Sequence, residues 1–75
     1  DLNGLPGFVV ECKNVGRVNL NSIMDETAVE QANAKVPFGI AVIKRRNKPT
    51  GEAHVVMPLS QFIDLLAIAT NAYND

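Results

Sequence analysis

The sequence has little of several features that mark large classes of protein. It has one cysteine, which cannot form an internal disulfide or a cysteine-based zinc site. No uncharged apolar run approaches the ~20 residues that a transmembrane helix needs, so no membrane partner is expected. The chain has seven Lys and Arg and eight Asp and Glu, so its net charge does not indicate a polyanionic partner. A single cysteine without a disulfide partner is most simply explained by a reducing compartment.

Large side chains are also scarce, and this limits the core. The 75 residues include no Trp, one Tyr and three Phe. A domain of about 60 residues buries only ~60% of the surface of its extended chain. The apolar content of 47% is nevertheless typical of a globular protein. We therefore expect residues 1–75 to form a single domain that is supported by a dimer or by a further N-terminal segment.

Hydrophobic patterns predict alternating strands and helices. Gly and Pro at positions 4–7 indicate a tight reversal, with residues 1–3 as a short first arm before a strand over 8–13. Asn19 is expected to cap a helix over 20–35, and a continuous apolar run predicts a doubly covered strand over 38–43. A returning strand over 52–57 and a helix over 59–73 follow. This order predicts an α/β (α+β) mixed sheet flanked by helices, with strands 8–13 and 38–43 parallel.

Each predicted helix has a stripe of residues at spacings of three and four, which is expected to pack on the sheet. The first stripe contains Leu20, Ile23, Met24, Thr27, Ala28, Gln31 and Ala32. The second contains Leu59, Phe62, Ile63, Leu66 and either Ala69 or Thr70.

A carboxylate and an ammonium group lie at the end of the first apolar strand. Period two places Glu11 and Lys13 on one face, and Cys12 on the other as an expected buried thiol. Burying such charges costs several kcal/mol each unless they are paired or hold a metal. If the hairpin loop spans residues 4–8, Asp1 lies opposite Glu11 with Cβ atoms ~4.5–5.5 Å apart. Two carboxylates at that separation repel each other unless a cation lies between them.

Two carboxylates beside a lysine suit phosphodiester hydrolysis. Mg²⁺ prefers such oxygen ligands, and Lys13 can orient the attacking water or stabilise the developing anion. The alternative is a surface strand on which Glu11 and Lys13 form an ion pair worth ~0–1 kcal/mol. The Glu-x-Lys triplet by itself favours that alternative; the upstream Asp1 and the apolar strand favour the metal site.

Residues 1–14, DLNGLPGFVVECKN, resemble the central motif of the PD-(D/E)xK nuclease superfamily. More narrowly, an Asp, then Gly-Leu-Pro-Gly, then an apolar strand ending in Glu-x-Lys is similar to the Holliday junction resolvase-like proteins of bacteriophages and their bacterial hosts. The likeness extends over nearly the whole chain, through the helix with Gln31 and the basic stretch after the second strand. It implies a restriction-endonuclease-like fold. The usual N-terminal helix and first strand of that fold have no counterpart before Asp1, so we expect the C-terminal part of a longer domain.

The resemblance also implies roles for individual residues. Asp1, Glu11 and the backbone carbonyl of Cys12 match metal-ligand positions for Mg²⁺ or Mn²⁺. Lys13 matches the catalytic lysine, and Gln31 matches a glutamine near the active site. The implied function is a cytoplasmic, homodimeric DNA endonuclease that acts on branched DNA in a bacterial or phage-infected cell.

Several alternatives stay open on the sequence. Gln31 is equally well interpreted as a boundary polar residue with a backbone partner. The basic residues Lys44, Arg45, Arg46 and Lys48 form either a DNA-phosphate contact or a turn that stays in solvent. The whole chain is alternatively a non-catalytic DNA-binding or assembly module, or a general repair or replication nuclease or nickase.

Overall fold

The computed structural model describes residues 5–14 and 19–74, with side chains described as far as residue 71. Its sheet has three strands in the order β1 (Phe8–Lys13), β2 (Phe38–Ile43) and β3 (His54–Val56). Strands β1 and β2 are parallel, and β2 and β3 are antiparallel. The expected mixed α+β sheet is therefore confirmed, as is the parallel pairing. The predicted first arm, residues 1–3, lies outside the described residues. Helix α1 (Leu20–Ala34) lies between β1 and β2 in the chain, a 3-10 turn (Thr50–Glu52) precedes β3, and helix α2 (Leu59–Asn74) follows it.

A tight turn leads into β1, as the sequence predicts. The amide of Phe8 donates to the carbonyl of Leu5 at 3.2 Å. Pro6 and Gly7 occupy the two central positions, and Gly7 has φ +81°. This is the type II pattern, in which proline fixes the first central φ and glycine accepts the positive second one. Phe8 already belongs to β1, whereas the expected pairing of Asp1 with Glu11 assumes a loop that includes residue 8; that pairing stays a prediction.

The core is centred on β2. Phe38, Ile40, Ala41 and Val42 are all less than a tenth exposed, which confirms the prediction of a strand covered on both faces. The Phe38 ring stacks on Phe8 of the neighbouring strand, with centroids 4.9 Å apart.

Helix α1 begins at the predicted residue and ends one residue early. The Asn19 side chain accepts from the amide of Ser22 at 3.1 Å and so caps the first turn. The helix ends at Ala34, one residue before the predicted end, because Lys35 is in the left-handed region with φ 57°.

The buried side of α1 is narrower than predicted. Ile23 and Thr27 are buried, while Met24 and Gln31 are half-buried. The Thr27 hydroxyl donates to the carbonyl of Ile23 at 2.7 Å, which satisfies a polar group that is 1% exposed. Because the helix rests on the sheet along this narrow line, three members of the predicted stripe are exposed: Leu20, Ala28 and Ala32.

The returning strand is shorter than the predicted residues 52–57. The amide of Glu52 donates to the carbonyl of Pro49 at 2.9 Å, and the amide of Ala53 donates to the carbonyl of Thr50 at 3.0 Å. These bonds form the 3-10 turn, so pairing with β2 is confined to β3.

Helix α2 ends at Asn74, one residue after the predicted end, and the prediction of its buried side was wrong. Among its described side chains, Gln61 and Leu65 are half-buried, and the Gln61 side chain accepts a hydrogen bond from the Gly39 amide of β2. The side chains predicted to be buried are instead exposed: Leu59, Phe62, Ile63, Leu66, Ala69 and Thr70.

Among the described residues no helix is both long and apolar enough to cross a membrane.

Candidate active site

Glu11 and Lys13 lie at the carboxyl end of β1, the edge strand of the sheet. Their register partners on β2 are Ala41 and Ile43. Both charged side chains are half-buried. Within the part of the chain that the structure describes, they make no ion pair with each other. The alternative of an exposed, mutually paired Glu and Lys therefore matches the geometry poorly.

The face that carries these two side chains is the one covered by α1. A Cβ atom placed on Gly39 would lie 2.8 Å from the Gln31 Oε1 atom and 3.0 Å from the Thr27 Cγ2 atom, so Gly39 faces α1. Val9 is the register partner of Gly39. Because side chains alternate along a strand, Glu11 and Lys13 share this face.

Gln31 lies on the same face but is already hydrogen-bonded. Its amide nitrogen donates to the Val36 carbonyl at 3.2 Å, and its oxygen accepts from the Gln61 amide at 2.9 Å. Gln31 lies over Gly39. The Cα atoms of Gly39 and Glu11 are about 8 Å apart, because Gly39 lies on the neighbouring strand and two residues further along it. The bond to the Val36 carbonyl is the backbone contact expected if Gln31 is a boundary polar residue and not a catalytic one. A catalytic part for Gln31 stays a prediction.

Gln61 is a polar residue that the sequence analysis missed. Its Oε1 atom accepts from the backbone amide of Gly39 at 2.8 Å, and its nitrogen donates to Gln31. The pairing of β2 with β3 begins only at Ala41 and Val56, so Gly39 lies beyond the end of β3. The Gln61 side chain thus supplies an acceptor where the neighbouring strand stops. The sequence hints at this contact only in that Gln61 lies outside the apolar stripe predicted for α2.

The backbone carbonyl of Cys12 points to the outer edge of β1. The carbonyls of Gly7 and Lys13 accept from the β2-side amides of Phe38 and Lys44, at 3.2 and 2.8 Å. Because carbonyl directions alternate along a strand, the carbonyl of Cys12 points the opposite way. In the described ranges no strand pairs with that edge. The predicted ligand atom therefore points away from β2, at the edge next to Glu11.

The thiol of Cys12 is exposed, so its predicted burial was wrong. Alternation places it on the face opposite α1, at the end of an edge strand. At that position the described residues provide no helix to cover it.

The carboxylate and carbonyl oxygens next to this edge are ligand types that Mg²⁺ accepts, but they make up only part of a magnesium site. The Glu11 carboxylate and the Cys12 carbonyl are hard ligands, and Mg²⁺ commonly keeps several waters. Asp1, the predicted second carboxylate, lies outside the described residues, so its pairing with Glu11 stays a prediction. Within the described ranges no three His, Cys, Asp or Glu side chains cluster closely enough to hold a metal ion.

A basic turn follows β2 at the same end of the sheet. Lys44, Arg45, Arg46 and Lys48 are exposed. The amide of Lys48 donates to the carbonyl of Arg45 at 3.3 Å. Asn47 has φ 59°, a value that asparagine tolerates well in turns.

With Lys13, the turn brings five of the seven Lys and Arg of the chain to one end of the sheet. Arg45 lies 3.6 Å from the Glu52 carboxylate, and both side chains are about half exposed. Such a pair is worth ~0–1 kcal/mol, so it does not prevent Arg45 from contacting another anion. The even charge balance of the whole chain therefore conceals a local concentration of cations.

No protein-family model, curated protein or solved structure matches this chain.

Proposed function

We propose that this chain is a metal-dependent DNA endonuclease that hydrolyses phosphodiesters of branched DNA, with a restriction-endonuclease-like fold of the Holliday junction resolvase-like kind. The observation that carries the proposal is the position of Glu11 and Lys13. They are half-buried on one face at the end of an edge strand, next to the basic turn. The parallel β1-α1-β2 unit and the resemblance of residues 1–14 to the PD-(D/E)xK motif support the same conclusion.

The proposed mechanism assigns a separate task to each residue. Glu11 and the Cys12 carbonyl, together with Asp1, would hold Mg²⁺ or Mn²⁺. When bound, the ion would supply neutralisation of charge on the phosphoryl oxygens. The Lys13 ammonium donates a hydrogen bond to the attacking water or to the oxygen on which negative charge develops. The partial burial of Lys13 strengthens that interaction, because water screens it less than at an open surface.

The basic turn is assigned to DNA binding. Lys44, Arg45, Arg46 and Lys48 would contact phosphates of the backbone, which positions the substrate without reading its sequence. A homodimer would present two such ends, as symmetrical cutting of a four-way junction requires. The bacterial or phage-infected cytoplasm is the expected setting.

Cleavage of a four-way junction, compared with a linear duplex of the same arm sequences, tests this function. The wild-type chain should cut the junction with Mg²⁺ and not with a chelator. Glu11→Gln should reduce the cleavage rate by about 100-fold or more, while Glu30→Gln, the same chemical change on an exposed part of α1, should leave it unchanged.

Each other result selects an alternative. Wild-type cleavage by Glu11→Gln would refute the mechanism. DNA binding without cleavage in any divalent metal would favour the non-catalytic DNA-binding or assembly module. Equal cutting of the junction and the linear duplex would favour a general nuclease, and cutting of one strand only would favour a nickase.

A further inference from the structure

His54 is the one histidine of the chain, and the proposed metal site and basic turn do not include it. It is the first residue of β3, and its side chain is exposed. Its register partner on β2 is Ile43, whose own partner on β1 is Lys13. Register partners in a sheet point to the same face. His54 and Lys13 therefore lie on one face, in a single row that crosses all three strands.

This row is the last one of the sheet, and the basic turn starts from it. Lys44 follows Ile43 directly, and its amide bonds to the carbonyl of Lys13. Two strand spacings separate the Cα atoms of Lys13 and His54, a distance of about 10 Å. Along one DNA strand a phosphate occurs about every 3.4 Å of helix axis. A backbone segment of a few nucleotides that lies at Lys13 can therefore extend across the row to His54.

The strands and the turn around His54 bring mainly cations to this row. Strand β2, which pairs with β3, consists of the uncharged residues FGIAVI. On the turn, Lys44 lies at one end, and Glu52 at the other end is 3.6 Å from Arg45. Glu11 is on the same face as His54, but it lies on the far strand and one row further back. The local charge therefore favours an anion as the partner of His54.

The helices do not supply a competing carboxylate at this position. Helix α2 has one charged residue, Asp64, and its bond to the sheet is at Gly39, four residues along β2 from Ile43. The acidic residues of α1 are exposed: Asp25, Glu26 and Glu30. Within residues 5–14 and 19–74, no carboxylate lies within ion-pair distance of His54.

We propose that His54 binds a DNA phosphate near the one that is attacked, and that it does so as the protonated imidazole. This inference rests on the proposed DNA-binding function and extends the phosphate-binding surface from the basic turn to β3. A protonated imidazole has a positive charge and two N–H donors. Histidine is the side chain that ordinarily changes charge between about pH 5 and 8. Lower pH should therefore add one phosphate contact, which makes binding tighter and more dependent on salt.

The salt dependence of junction binding at two pH values tests this contact. Fluorescence anisotropy of a four-way junction with the full chain, in a chelator that prevents cleavage, would give the slope of log affinity against log salt at about pH 5.5 and 7.5. His54→Gln is neutral at both pH values, and His54→Lys is charged at both. Val55→Gln places the same amide on the opposite face of β3, at a residue that is 60% exposed. Circular dichroism would verify that each variant folds.

The wild-type slope should be steeper by about 0.8 at pH 5.5 than at pH 7.5. His54→Gln should have the shallow slope at both pH values, His54→Lys the steep slope at both, and Val55→Gln should match the wild type. A wild-type slope that does not change with pH would overturn the inference. Retention of the pH dependence by His54→Gln, or its loss in Val55→Gln, would also overturn it.

These outcomes are separable from the fate of the proposed nuclease. The expected slopes in a chain that no divalent metal activates would support the phosphate contact and refute the endonuclease. Junction cleavage by a chain whose His54→Gln variant keeps the wild-type pH dependence would refute the contact alone. Absence of DNA binding at both pH values would overturn this inference together with the proposed function.

Discussion

The backbone amide of Lys44 donates a 2.8 Å hydrogen bond to the carbonyl oxygen of Lys13. This bond closes the parallel ladder between β1 and β2 at its carboxyl end. The basic turn therefore starts directly beside the strand end that carries Glu11 and Lys13. A DNA backbone held by the turn would pass close to those two side chains. Binding by the turn and chemistry at the strand end can accordingly be tested by separate substitutions.

Lys13→Met should strongly reduce the rate of cleavage while leaving DNA binding nearly intact. Methionine keeps much of the length of the side chain but removes the ammonium group that would stabilise charge in the transition state. We expect a loss of about 100- to 1,000-fold in single-turnover cleavage, with a change in junction affinity of only a few fold. Lys35→Met removes the same charge at the end of α1 and serves as the control. Equal cleavage by the two variants would exclude Lys13 from the chemistry.

Removing charge from the basic turn should change the salt dependence of binding. Arg46 and Lys48 are exposed, so replacing both by Gln should affect folding little. If each contacts one phosphate, the slope of log affinity against log salt should fall by about 1.8 for duplex arms. Fluorescence anisotropy at several salt concentrations would measure it. Lys35→Gln is the single-charge control, and a double variant with an unchanged slope would place the DNA away from this turn.

Gly39→Ala should destabilise the fold because α1 lies directly against the strand at this point. The added Cβ atom would lie 3.0 Å from the buried Thr27 methyl and 2.8 Å from a Gln31 oxygen that is itself hydrogen-bonded. Overpacking of this kind costs about 1–3 kcal/mol, which urea unfolding would detect as a lower midpoint.

Gly51→Ala provides the control for that substitution. A Cβ atom at Gly51 meets no atom within 4 Å. The change should be neutral or slightly stabilising, because alanine restricts the unfolded chain more than glycine does. Equal midpoints for the two alanine variants would show that α1 does not approach β2 as closely as described.

Local chemistry made much of the fold predictable from the sequence. Asn19 caps α1, the Pro6-Gly7 pair forms the turn, and the continuous apolar run of β2 is buried on both faces. Each of these outcomes depends on side chains close together in the sequence. The placement of Glu11 and Lys13 on one face follows equally from the period of a strand.

The orientation of α2 could not be predicted in the same way. Its apolar pattern indicates which side prefers burial, but the hydrogen bond from Gly39 to Gln61 joins residues 22 positions apart. That bond matters only because β3 stops at Val56 and leaves the Gly39 amide without a strand partner. The same long-range contact occupies Gln31, which its position on α1 alone could not reveal. The pairing of Asp1 with Glu11 depends on register and stays a prediction.

Gln61→Met should release the Gly39 amide. The substitution removes both the acceptor for that amide and the donor to the Gln31 oxygen, at an expected cost of about 1–3 kcal/mol. Hydrogen exchange followed by NMR would resolve the two amides of interest. The exchange rate of Gly39 should rise relative to that of Ile40, whose amide faces β1 by the alternation of the ladder.

Gln61→Glu separates the two bonds. A glutamate keeps an acceptor for the Gly39 amide but cannot donate to Gln31 when ionised. Protection of Gly39 relative to Ile40 should therefore persist in the glutamate variant and disappear in the methionine variant, even though both lose the contact between the two glutamines. If both variants retain the protection, the amide is satisfied by another group and Gln61 does not fix the rotation of α2. If both lose it, the bond to Gln31 is what holds the Gln61 side chain against the sheet, because an acceptor alone is then insufficient to keep it there.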